Sequence, residues 1–237
     1  MTKNQQILAK MGGGSLALLL SLGLGQQASA TTLVSNLPPI TSDPTTGSDI
    51  TFNQWVRSSF KTGSISYGYT LNSVTLLFRE LTANNSLFVR LHRDDAGDTG
   101  ALITTFNNPS PITSTAANNN FSAPTPQTLA ADTTYWLVAG ISSNVSGGQY
   151  RWARTNSVNQ GGELGWSIGD SSLFSINQGG TWSVDPAFKA FQFSVNGTVN
   201  TPPTPPTNIP EPGSAVALLG LGGLGLASRM KKLSTRA

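Results

Sequence analysis

The fold is decided by residues 73–93, SVTLLFRELTANNSLFVRLHR, in which two stretches show the same alternation of apolar and polar side chains. The apolar side chains at alternate positions are Val74, Leu76, Phe78, Leu87, Val89 and Leu91. A period of two is typical of a β-strand that buries one face. The residues ELTANN between the two stretches favour a turn, so we predict that the strands form a β-hairpin.

Further strands are predicted along the rest of the chain. Residues 133–141, TTYWLVAGI, are apolar on both faces, which is typical of a central strand, and residues 188–195, FKAFQFSV, place Phe191, Phe193 and Val195 on one face. Shorter strands are expected near residues 52–60, 101–106, 150–154 and 163–168. No sustained helical period occurs after residue 30. We predict an all-β fold, a single antiparallel β-sandwich of the jelly-roll type over residues 31–198.

The first 30 residues have the parts of a secretory signal peptide. Two lysines lie near the start, residues 11–25 are rich in Leu and Gly without a charge, and Ala28 and Ala30 are the small residues that signal peptidase accepts. We predict that signal peptidase removes residues 1–30 during export and that the mature chain starts at Thr31.

The C-terminal part combines a linker with a short anchor. Residues 199–209, VNTPPTPPTNI, contain four prolines, which favour a stiff extended spacer. Residues 213–228 carry no charge; as a helix they would span about 24 Å, less than the roughly 30 Å of a bilayer core. The basic residues at the start of the tail 229–237, expected on the cytoplasmic side, are Arg229, Lys231 and Lys232. We therefore predict transient anchoring in the inner membrane.

Directly before the apolar segment stand Pro210, Glu211 and Pro212. The order of Pro-Glu-Pro, short transmembrane helix and basic tail over residues 210–237 resembles the PEP-CTERM sorting signal. The resemblance implies recognition by an exosortase, an intramembrane cysteine transpeptidase that cuts near the motif. It further implies an exported bacterial protein at the cell surface, in the outer membrane or in the extracellular matrix. A plain tail anchor behind a proline-rich linker is the alternative.

Composition excludes two classes of function. Between residues 31 and 209 there are eight basic and ten acidic side chains, a net charge of −2, and the excess positive charge of the whole chain lies in the terminal segments. Nucleic-acid binding needs clustered Lys and Arg, so we expect no nucleic-acid partner. The chain contains no cysteine, which excludes thiol catalysis, thiolate metal sites and iron–sulfur clusters.

A second resemblance covers most of the predicted sandwich. It is carried by a strand followed by an acidic, glycine-containing turn, by a Tyr-Trp strand and by two aromatic segments: residues 86–106, 127–141, 148–155 and 182–195. Together these look like the choice-of-anchor R domain, an exported bacterial module found with varied C-terminal anchors. The resemblance implies a β-sandwich at the cell surface with no established enzymatic activity.

Candidate ligand-binding residues are aromatic. Sugar-binding modules use exposed rings as platforms for pyranoses, and Trp152, Trp166 and Trp182 lie beside arginines or glycine-rich loops where exposure is expected. Trp136 lies in the predicted central strand and is assigned to the core. Core or rim packing is the alternative for the other tryptophans too.

Asp94, Asp95 and Asp98 form an acidic cluster with glycines at two nearby positions. Carboxylate oxygens are ligands that calcium prefers, although the spacing is not that of an EF-hand loop. A hairpin turn that uses Asp and Gly for its backbone is the interpretation we favour, and a structural calcium ion is the alternative. No other cofactor is expected.

No catalytic residue is assigned. His92 is the only histidine and falls on the outward face of its strand, and the acidic side chains Glu80, Glu163, Asp170 and Asp185 show no spacing that singles out a pair. We expect a non-enzymatic surface or matrix protein sorted by exosortase. The alternatives are a carbohydrate-binding module for extracellular polysaccharide and a glycosidase acting on that polysaccharide.

Overall fold

The computed structural model describes residues 30–38, 46–83, 86–142, 147–157 and 159–203. These residues form strands and loops without a helix, so no membrane-spanning helix is found among them. The strands are β1 Thr31–Ser35, β2 Gly47–Ile50, β3 Trp55–Lys61, β4 Tyr69–Thr82, β5 Leu87–Asp95, β6 Asp98–Thr105, β7 Ala117–Leu129, β8 Thr134–Ile141, β9 Gln149–Thr155, β10 Gly161–Gly162, β11 Ser167–Ile168, β12 Leu173–Ser175, β13 Ser183–Val184, β14 Ala190–Phe191 and β15 Phe193–Val199.

The first sheet is built around β4. Strand β7 pairs along one edge of β4, while β15 and β9 share the opposite edge, β15 opposite residues 69–76 and β9 opposite residues 78–82. Beyond β15 lie β1 and then β10, and β2 and β14 both pair with β9. Every pairing is antiparallel.

The second sheet has the order β13-β12-β3-β8-β5-β6, with β11 also paired to β3. Strand β8 lies between β3 and β5, and each of its residues after Thr134 is buried. The prediction of a central strand at this position is confirmed.

Apolar side chains from both sheets form one core between them. The ring of Phe60 in β3 lies 5.6 Å from Tyr135, 5.8 Å from Trp166 and 6.4 Å from Phe193 of the first sheet. Such ring pairs add about 0.5–1.5 kcal/mol each to the burial of their surface. The predicted inward side chains are all buried: Val74, Leu76, Phe78, Leu87, Val89, Leu91, Phe191, Phe193 and Val195. An all-β fold of two antiparallel sheets is therefore confirmed, while the jelly-roll type stays a prediction.

The predicted hairpin of residues 73–93 is wrong. Strand β4 belongs to the first sheet, whereas β5 pairs with β6 and β8 in the second. Both edges of β4 are occupied by other strands, so β5 has no free edge of β4 to pair with. The chain passes from one sheet to the other instead. Four residues are enough for this, because packed sheets lie only about 10 Å apart.

The long strand β7 was not predicted. Its sequence, ANNNFSAPTPQTL, contains three asparagines and two prolines, which are depleted in strands. Strand β1 begins at Thr31 and β15 ends at Val199, and the division of the chain into domains stays a prediction. The proposed signal peptide up to residue 29, and the linker and sorting segment from residue 204 onward, lie outside the described residues.

Candidate ligand-binding groove

Two of the three tryptophans proposed as sugar platforms are buried. Trp152 is fully buried in β9 and donates Nε1–H to the carbonyl of Gln192, and Trp166 packs edge-on against Tyr69 with centroids 4.8 Å apart. The expectation that these two rings are exposed is therefore wrong. Neighbouring residues of a strand point to opposite faces, so the outward Arg151 places Trp152 inward.

Trp182 is half-buried, and one face of its indole is occupied by a cation. The guanidinium of Arg57 lies 4.5 Å from the Trp182 ring and 4.2 Å from the ring of Trp136, which is buried as predicted. Arg57 also donates to Asp98 and to the hydroxyl of Thr99. Burial lowers the pKa of Arg57, and the bond and charge of Asp98 oppose that shift. Arg57 therefore covers one face of the Trp182 ring.

The acidic cluster forms the hairpin between β5 and β6. Asp95 pairs with Asp98, and the two residues between them have positive φ, 51° at Ala96 and 89° at Gly97, which is the geometry of a tight two-residue turn. The hairpin interpretation is confirmed.

The carboxylates of this hairpin have protein partners. Asp94 accepts hydrogen bonds from Nε1–H of Trp136 at 2.7 Å and from the backbone N–H of Gly97. Asp98 accepts a hydrogen bond from Arg57, and this bond lowers the pKa of Asp98. Among the described residues no cluster suited to a metal ion is found.

His92 lies on the outer face of β5, as predicted, but it is half-buried rather than fully solvated. Its Nδ1–H donates to the Gly100 carbonyl at 2.9 Å. Burial lowers the pKa of His92, and the nearby Arg90 lowers it further, while the bond to Gly100 acts in the opposite direction.

A polar groove lies where the edges of the two sheets meet, with a volume of about 330 Å³. Strands β2 and β9 of the first sheet supply one wall, and Phe174 of β12 in the second sheet supplies the other. The remaining lining residues are Gly47, Ser48, Asp49, Gln54, Arg151, Arg154 and Asp185. We call this set of eight residues the edge groove.

The polar groups of the edge groove are held in place by two ion pairs. Asp49 accepts from Nε of Arg151 at 2.6 Å and from Nε2 of Gln149 at 2.8 Å, and Arg154 donates to Asp185. Gly47 permits the first pair, because a Cβ at that position would lie 2.5 Å from Cγ of Arg151. The edge groove thus combines fixed polar groups with one half-buried ring, that of Phe174.

The carboxylates considered for glycoside hydrolysis lie in different parts of the domain. Glu80 is in β4 opposite Tyr150, whereas Glu163 follows β10 and donates its backbone N–H to Leu33. Asp185 lies in the edge groove and is ion-paired with Arg154, and Asp170 lines a separate cavity of about 110 Å³. This arrangement does not group the four into one site.

The residues that sequence reasoning missed are Asp49 and Arg57. Asp49 lies 102 residues before its partner Arg151, and Arg57 lies 41 residues before Asp98. A local pattern carries no information on such pairs. The alternation in QYRWART, residues 149–155, could have placed Arg151 on the groove side and Trp152 in the core.

Residues 208–232 match the PEP-CTERM protein-sorting motif. The match contains all six predicted sorting residues of the C-terminal segment: Pro210, Glu211, Pro212, Arg229, Lys231 and Lys232. The motif implies an exported, membrane-associated protein that is processed by an exosortase and sorted to the cell surface. No curated protein matches the chain. The resemblance to the choice-of-anchor R domain stays a prediction.

Proposed function

We propose that the chain is a non-enzymatic protein of the cell surface or extracellular matrix, which acts by binding after exosortase has trimmed its C-terminal segment. The observation that carries the proposal is the sorting motif at residues 208–232. The described residues add a domain whose apolar core lies between two sheets.

Replacing Glu211 tests the sorting step. Glu211 is the single charged side chain of the matched segment before Arg229, and prolines on either side of it favour the extended conformation that a protease binds. We expect Glu211→Gln to leave the protein in the membrane fraction of the producing cells, whereas Glu163→Gln, an equal change in the exposed turn after β10, leaves sorting unchanged. Protease accessibility on intact cells measures the surface fraction. Equal surface display of both variants would contradict the proposal.

A second candidate function is recognition of extracellular polysaccharide, and the edge groove favours it. A pyranose offers an apolar face to a ring such as Phe174 and hydroxyls to carboxylate, amide and guanidinium groups such as those of Asp49, Gln54 and Arg154. This proposal replaces Trp152 and Trp166 by the edge groove as the binding site.

Affinity electrophoresis in gels that contain matrix polysaccharides tests the groove. We expect Phe174→Ala to weaken retardation by about tenfold, the equivalent of about 1.4 kcal/mol, because a stacking ring is lost. Ile176→Ala is the matched control, since Ile176 is 71% exposed two residues away and does not line the groove. Retardation that is absent from the unaltered protein, or equal in both variants, would exclude the edge groove as a polysaccharide site.

A further inference from the structure

Three exposed apolar residues lie in two adjoining loops at one end of the domain. Ile65 is 43% exposed, Tyr67 is 51% exposed and Leu164 is 94% exposed. The loops that carry them touch: a Cβ on Gly63 would lie 2.6 Å from the carbonyl oxygen of Leu164, and one on Gly165 would lie 3.2 Å from Cα of Gly63. We call Ile65, Tyr67 and Leu164 the apolar end patch.

The chain leaves the domain beside this patch. Asn200 donates its backbone N–H to the Gly68 carbonyl at 3.1 Å and its side-chain amide to the Tyr67 carbonyl at 3.0 Å. Its Oδ1 accepts from the hydroxyl of Thr70 at 2.7 Å. These three bonds fix the exit of the chain against the turn that carries Ile65 and Tyr67.

The start of the first strand lies at the same end. Thr31 pairs with Gly197 of β15, two residues before Val199, which itself pairs with Tyr69. The predicted signal peptide and the C-terminal sorting segment would therefore both join the domain near the apolar end patch.

The length of the tether favours this end as the one that faces a bilayer. Between Asn200 and the apolar segment that begins at Gly213 there are twelve residues, which span about 37 Å in a polyproline conformation. Leu81 marks the far end of β4, twelve residues from Tyr69 and thus about 40 Å away. An extended tether of this length lets the exit end touch the bilayer when the tether lies along the membrane surface, whereas the far end reaches the bilayer only if the tether runs back along the whole length of β4.

The charged residues around the apolar end patch suit contact with a bilayer surface that has no net charge. The nearest charged residues in the two loops and the adjoining turn are Lys61, Asp132 and Glu163, all exposed. They do not form the basic cluster that binds anionic lipid. Aliphatic side chains with a tyrosine are typical of contact with the headgroup region of a bilayer.

From these observations we infer that the apolar end patch rests in the headgroup region of the membrane while the sorting segment still anchors the chain. The inference rests on the proposed function, because it requires that residues 213–228 insert. The contact holds the exit of the chain, and with it the Pro-Glu-Pro segment, close to the membrane in which an exosortase acts.

Site-specific fluorescence tests this contact, since the chain has no cysteine of its own. The full chain with Leu164→Cys is labelled with the polarity-sensitive dye NBD and reconstituted in phosphatidylcholine vesicles. Leu81→Cys is the matched control, because Leu81 is 39% exposed at the opposite end of β4. We expect iodide quenching at position 164 to be about threefold weaker than at position 81, with a blue-shifted emission and quenching by spin-labelled lipid.

The outcomes separate the two proposals. In the Ile65→Ser, Tyr67→Ser double variant we expect the difference between the two labels to fall below about twofold, while the circular dichroism spectrum shows that the sheets are retained. If iodide quenches both positions equally in vesicle-bound protein, the inferred membrane contact of the apolar end patch is wrong, while the proposed sorting still stands. Shielding from iodide without quenching by spin-labelled lipid indicates contact with a second copy and also overturns the patch. Protein that does not bind vesicles contradicts both.

Discussion

Arg57 carries a positive charge into a buried position on the outer face of the second sheet. Its side chain is 4% exposed, yet it lies between two indole rings and pairs with Asp98. Each cation–π contact contributes about 0.5–2 kcal/mol, which offsets part of the cost of removing the guanidinium from water. Because Arg57 occupies the faces that Trp136 and Trp182 turn toward it, the proposed polysaccharide contact is placed at the edge groove instead.

The sequence allows the inward side chains of the predicted strands to be identified, since a period of two depends only on neighbouring residues. It does not allow the partners of outward polar residues to be identified. Arg57 and Asp98 meet because a hairpin folds over β3 and β8, and that arrangement depends on the packing of the whole sheet.

We expect His92 to make the free energy of unfolding depend on pH. Because burial lowers the pKa of His92 below its ordinary 6.5, the unfolded chain binds a proton that the folded chain does not. The full contribution is present above pH 6.5, and the free energy of unfolding decreases as the pH falls through 6.5 toward the lower folded pKa. Urea unfolding at pH 7.5 and 5.5 measures this loss.

The His92→Asn variant is the control, because an amide keeps a donor for the Gly100 carbonyl without titrating. We expect the loss of stability between pH 7.5 and 5.5 to be smaller in this variant than in the unaltered protein. No other histidine occurs in the chain. An equal loss in both proteins would show that His92 does not cause it.

Strand β7 forms despite its local sequence. Its ladder with β4 runs from Ala117 to Leu129 with a register shift between residues 71 and 73, and Phe121 and Leu129 are fully buried. The prolines fall at exposed positions 124 and 126, within the part of the ladder where the register shifts. Tertiary pairing thus overrides the low strand propensity of Asn and Pro, which is why the strand could not be predicted from its sequence.

Phe121 anchors this strand, and its replacement tests that role. Its ring lies edge-on to Phe78 at 5.7 Å with no exposed surface. We expect Phe121→Ala to lower the free energy of unfolding by about 3–5 kcal/mol, because a cavity remains in the core. Asn118→Ala, at an exposed position of the same strand, should change it by less than about 0.5 kcal/mol. Similar urea midpoints for the two variants would contradict the assignment.

At the scale of the whole molecule, the chain joins a folded domain to a sorting segment. The all-β class of the described residues and the sorting motif could be predicted because both depend on local sequence patterns. The distribution of β4 and β5 between two sheets could not, since a four-residue connection is compatible with a hairpin and with a crossing of the core. The edge groove could not be predicted either, because its walls come from β2 and β9 in the first sheet and β12 in the second.

The intact mass of the mature protein recovered from producing cells tests the central claim most directly. We predict a chain that begins at Thr31 and has lost the apolar segment and basic tail after cleavage near Pro210, Glu211 and Pro212. A mass that still includes Ala237, in protein that remains integral to the membrane, would contradict sorting and release to the cell surface.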